Sequence, residues 1–115
     1  MVIGPTFSVD SRPIQIGRLV TVRGEVDLAS AERLQEELDA HTEADLVIDL
    51  RSVDFIDSTG LRVLVMTRGR LDEERRTLHL VVSDGPVRRL LQMSGVESGF
   101  SILPSLEGID VSESE

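Results

Sequence analysis

A chain of 115 residues with 40% hydrophobic content and a mean hydropathy of zero has the size of one domain and enough apolar surface for a single core. Its 21 acidic residues outweigh 12 basic ones, all arginine, and the net charge of −9 argues against a nucleic-acid backbone as ligand, while three Phe with no Trp or Tyr provide no platform for stacking bases or sugars. The absence of cysteine excludes disulfides, thiolate metal ligands and thiol catalysis; with no run of membrane-spanning length and no leader pattern, a cytoplasmic protein without a membrane partner is expected.

Phe7 to Ile16 reads as a short strand, and Pro13 assigns it to an edge or a bulge. Gly17-Arg18 is expected to turn the chain into a β-branched strand, Leu19–Arg23, which Gly24-Glu25-Val26-Asp27 closes. Asp27 suits the N-cap of an amphipathic helix from Leu28 to about His41, with Ala31, Leu34 and Leu38 on its buried stripe. Leu46–Leu50 is nearly all apolar, as in a central strand covered on both faces. Val53, Phe55 and Ile56 lead to Ser58, and a second helix is expected from Leu61 to about Glu74. Thr77–Val82 is a further strand, Asp84 a cap for a third helix that Gly95 ends, Phe100–Leu103 a last strand, and Pro104–Ile109 a fourth short helix. Strands alternating with helices predict an α/β domain with a mostly parallel sheet and an antiparallel edge hairpin, spanning residues 1–109. The acidic tail, 110–115, is expected to be frayed.

Asp57-Ser58-Thr59-Gly60-Leu61 places a hydroxyl where strand gives way to helix, the most electropositive point a backbone offers. Such a serine can cap the helix, attack a substrate or receive a phosphate. Attack is disfavoured because Ile56-Asp57-Ser58-Thr59-Gly60 lacks the leading glycine of a nucleophile elbow. The downstream base is missing too: His79 sits between Leu78 and Leu80 in a strand. Carboxylate-dyad hydrolysis fails on the extra residue between Asp57 and Gly60 and the missing second copy. His41 and His79 are isolated, and no His/Asp/Glu cluster has ligand spacing, so no metal site is expected. A phosphoserine would keep the fold and change the surface charge, and from the residues alone this reading and the simple cap both stand.

The chain resembles the STAS domain of bacterial anti-sigma factor antagonists over nearly its whole length. The resemblance rests on Gly24-Glu25-Val26-Asp27, Leu46-Val47-Ile48-Asp49-Leu50, Val53 through Leu61, Val87-Arg88-Arg89-Leu90-Leu91 and Met93-Ser94-Gly95, in that order. It implies a sheet of four or five strands with about four helices packed mainly on one face. It also implies a protein that is not an enzyme but a partner switch: unmodified, it binds an anti-sigma factor that is also a serine kinase, and so frees the sigma factor. ATP belongs to that kinase, this chain needing no cofactor. Phosphorylation at Ser58, with Thr59 the lesser candidate, ends binding, and a phosphatase restores it. Glu25, Asp27, Asp57, Ser58, Thr59 and Gly60 are the residues the resemblance assigns to the partner surface, on a protein expected to be monomeric. The alternative is a STAS scaffold or sensor-complex module in which Ser58 is only a helix cap.

Overall fold

The structure, a computed structural model, describes residues 7–41 and 44–112. It forms one five-stranded sheet in sequence order: β1 (Phe7–Ile14), β2 (Gly17–Val26), β3 (Leu46–Ile56), β4 (Leu78–Val81) and β5 (Ser101–Leu103). β1 and β2 are antiparallel and every later pairing is parallel. The helices α1 (Leu28–Asp39), α2 (Ser58–Glu73) and α3 (Pro86–Met93) are the three crossovers. Because the parallel strands advance steadily across the sheet, right-handed crossovers place all three helices on the same face. There Val20, Val22, Ile48, Leu50 and Leu80 meet Leu34 and Leu38 of α1, Leu64 and Leu71 of α2, and Leu91 of α3.

The opposite face carries a smaller cluster of Ile14, Leu19, Val47 and Val81, covered by Leu106, Ile109 and Val111. The expected fourth helix is therefore not formed. Residues 104–109 make turns, with a single Ile109 N–H to Leu106 C=O bond of 3.0 Å, and the spacing of three between Leu103, Leu106 and Ile109 serves a strap laid across the sheet. Arg12 holds this strap by donating to the Val111 carbonyl at 2.7 Å. Of the expected tail, 113–115 lie outside the described residues, as do 1–6 of the expected domain.

Among the boundaries that differ from the sequence expectation, three have local physical reasons. The hairpin turn is Gln15-Ile16, and Gly17 is already paired with Ile14. Its φ of 151° and an added Cβ only 2.1 Å from the Asp45 carbonyl both demand glycine. β3 runs six residues beyond Leu50 and carries two bulges: the two steps from Thr21 to Arg23 face three in β3, Asp49 to Ser52, and the one step from Gly24 to Glu25 faces two, Val53 to Phe55. Each inserts an extra residue, so the buried positions Val53 and Ile56 fall three apart. Finally, Asp84 does not cap α3. Pro86 fixes the first helical position, which makes Gly85 the N-cap, without a side-chain bond. Gly95 does end that helix, as the Val96 N–H reaches back to the Leu91 carbonyl.

Candidate functional site

The parallel strands β2 and β3 end side by side, Val26 opposite Ile56, and the Asp57 N–H donates to the Val26 carbonyl at 3.1 Å. The next residue of each strand is an aspartate that starts a helix. Asp27 accepts from the N–H groups of Ala29 and Ser30, both at 3.1 Å. Ser30 in turn accepts from the Asp27 N–H at 2.9 Å, which closes a capping box. Asp57 accepts from Thr59 N–H at 2.9 Å and Gly60 N–H at 3.2 Å. The two N-termini, each with a positive dipole end, therefore open side by side at the C-terminal rim of the parallel strands, each occupied by a carboxylate.

This arrangement corrects the reading of Ser58 as a cap. Asp57 is the N-cap of α2, and Ser58 is its first helical residue, exposed and outside the capping bonds. The helix begins three residues earlier than Leu61 because a carboxylate, the stronger acceptor, takes the first N–H groups. It also follows that the amides of Thr59 and Gly60 are not free to cradle a phosphate on Ser58. The Thr59 hydroxyl donates to Asp57 as well. That bond, with the two amide bonds, holds the Asp57 carboxyl below its ordinary range against the upward push of partial burial.

Gly60 is buried where α2 crosses the strand ends. An added Cβ would lie 2.7 Å from both Ile56 Cγ1 and Val26 Cγ1, so glycine is what lets the start of α2, and Ser58 with it, sit down on the sheet. Its part in the site is close packing. Glu25 is half-buried one residue before Val26, and its carbonyl accepts from Ser30 Oγ at 2.7 Å. Beside it opens a concavity of about 340 Å³ lined by Phe7, Glu25, Asp27, Ala29, Ser30 and Arg33. The Arg33 guanidinium lies 5.0 Å from the Phe7 ring centroid.

Two apolar residues that sequence patterns did not single out belong to this rim. Leu28, at the first position of α1, is 77% exposed, and Phe55, paired with Glu25, is 46% exposed. Leu28 merged into the helix pattern, and Phe55 into the apolar run before the serine.

The histidines lie elsewhere. His79 pairs with Val47 on the sheet and its ring nitrogen meets Ser101 Oγ at 2.8 Å. Val47 is nine β3 residues before Ile56, roughly 30 Å at strand rise. His41 lies past the far end of α1, where the same ring nitrogen approaches Glu37 at 2.7 Å and Ser11 Oγ at 3.1 Å. Ser11 Oγ also donates to Glu37 at 2.9 Å, so these side chains tie β1 to α1. Among the described residues, no group of three or more His, Asp or Glu side chains is arranged to hold a metal ion, and no helix is long and apolar enough to cross a membrane.

The chain is similar to proteins already known. The anti-sigma-B factor antagonist of Bacillus subtilis is 35% identical over 104 residues, covering 89% of this chain and 95% of its own length. The anti-sigma-F factor antagonist RsfB of Mycobacterium tuberculosis is 30% identical over 91 residues, covering 76% of this chain and 74% of its own. Among solved structures, an anti-sigma factor antagonist from Mycobacterium paratuberculosis superposes with a TM-score of 0.83 at 28% identity, over 89% of each chain. Residues 11–109 match the STAS domain, and the chain belongs to that family.

Proposed function

We propose that this protein is an anti-sigma factor antagonist that works by partner switching in the cytoplasm. Unmodified, it binds a cognate anti-sigma factor with serine kinase activity through the rim formed by Glu25, Asp27, Asp57, Ser58 and Thr59, and the sigma factor is released. The kinase transfers the γ-phosphoryl group of its own ATP to Ser58 Oγ; the hydroxyl proton is lost and ADP leaves. A phosphatase later hydrolyses the ester, returning serine and inorganic phosphate. Gly60 supports this surface from beneath. The names of the relatives support the antagonist role.

The observation that carries the proposal is the exposure of Ser58 beside a helix end already filled by a carboxylate. Its hydroxyl is accessible, whereas that of Thr59 is committed to Asp57. A phosphate on Ser58 therefore adds a dianion next to Asp57 without gaining the Thr59 and Gly60 amides. An incompletely paired charge desolvated at an interface costs about 2–5 kcal/mol. At 1.4 kcal/mol per tenfold, this weakens binding by about 30-fold to several thousandfold and suffices for a switch.

The test combines intact mass with affinity. Protein isolated from its native cells should contain a fraction heavier by one phosphoryl group, mapped to Ser58. Ser58→Ala should retain the partner in the presence of kinase and ATP, and Ser58→Glu should bind it weakly. Absence of the phosphoryl group under every growth condition, with equal partner binding by all three proteins, would favour a scaffold or sensor-complex module.

A further inference from the structure

The second turn of α2 carries a cation placed for a phosphate on the first. Arg62 is four residues after Ser58, and both are exposed. Residues at this spacing have their Cβ atoms about 5–6 Å apart on one helix face, and helical side chains lean toward the N-terminus. A guanidinium at position 62 can therefore reach back over the Ser58 position. Acid at i with base at i+4 is the favourable order, since it also suits the helix dipole.

Arg62 is also uncommitted. Arg23, Arg51, Arg68, Arg70 and Arg88 each have a carboxylate partner, but Arg62 has no hydrogen bond or ion pair among the described residues. The alternative seat for a phosphate, the amides at the start of α2, is largely filled by Asp57. The surrounding charges repel an anion: Asp57 beside it, Asp27 on the neighbouring strand end, and Glu25 and Asp54 just before them.

Resting on the reading of Ser58 as the modified residue, we propose that Arg62 is the intramolecular counter-ion of phospho-Ser58. The guanidinium donates two N–H bonds to the phosphate oxygens and holds the group against the first turn of α2. Phosphorylation then changes the surface twice: a dianion appears, and Arg62 is withdrawn from whatever carboxylate a partner would offer it.

The test needs neither kinase nor partner. Phosphoserine is incorporated at position 58 during translation, and its second ionisation is followed by 31P NMR in the protein carrying Arg62 and in Arg62→Gln, Arg62→Lys and Arg75→Gln. Pairing favours the dianion, so Arg62 should lower that pKa by about 0.3 pH unit relative to Arg62→Gln, the size of an exposed i,i+4 ion pair. Arg62→Lys should keep most of the shift, Arg75→Gln all of it, and about 0.5 M salt should remove it. Identical pKa values in the parent protein and in Arg62→Gln would overturn the proposal, as would a shift that follows Arg75. Such a result would leave Ser58 phosphorylation standing, whereas absence of phosphate in native cells would leave this titration unaffected.

Discussion

The N-termini of α1 and α2 are built from the same parts and differ in what they leave over. Both begin at an aspartate one residue past paired strand ends. At the third helical position α1 has Ser30, whose hydroxyl accepts from the Asp27 N–H and donates to the Glu25 carbonyl, while α2 has Gly60, which packs directly on Val26 and Ile56. The first position is Leu28 in α1 and Ser58 in α2, both exposed. Reciprocal hydrogen bonds lock the start of α1. The start of α2 is held by the Asp57 cap and close packing, which leaves a hydroxyl outside the fold's own bonds, so a group can be added there without dismantling the helix start.

The comparison breaks most severely at Gly60. Gly60→Val forces a branched side chain into two contacts already at 2.7 Å for a bare Cβ, and overpacking of this kind costs about 2–3 kcal/mol. A urea melt should show the loss, and an unchanged midpoint would mean that α2 does not rest on the strand ends. Asp57→Ala comes next, at about 1–2 kcal/mol for a lost cap. Its pH dependence has a definite sign. The folded-state pKa of Asp57 lies below its unfolded value of about 3.9, so its contribution is fully present above that value and is lost as pH falls through the folded pKa. The stability gap between the parent protein and Asp57→Asn should therefore narrow below about pH 4; a gap constant down to about pH 2 would contradict the cap. Ser30→Ala removes the matching device from α1 and should cost about 1 kcal/mol by the same melt.

Where local signals and tertiary packing agreed, the sequence was sufficient. Asp27 before Ala31, Leu34 and Leu38 identifies α1 because cap and stripe lie in one short window. Leu46–Leu50 reads as central because both of its faces are covered. The rest of β3 was hidden by its bulges, which replace alternation by a spacing of three that no strand template expects. The strap was misread for the converse reason, since apolar residues three apart suggest a helix although they only need to reach a sheet. At the site, Ser58, Asp57 and Asp27 were visible as a motif, but which residue caps was not. That depended on where the strand stopped, and thus on the bulges.

The smallest expected effect sharpens the comparison within one helix. Gly69 also lies in α2, but an added Cβ there meets nothing within 4 Å. With no packing reason for glycine, Gly69→Ala should recover the helix propensity that glycine forfeits and stabilise the protein by about 0.5–1 kcal/mol. The same substitution at Gly60 gains that propensity but meets Ile56 and Val26. If thermal unfolding shows Gly69→Ala above and Gly60→Ala below the parent protein, glycine at the start of α2 is there for contact with the strands. If both variants are stabilised, the strand ends yield readily, and the position of Ser58 is set by the Asp57 cap alone.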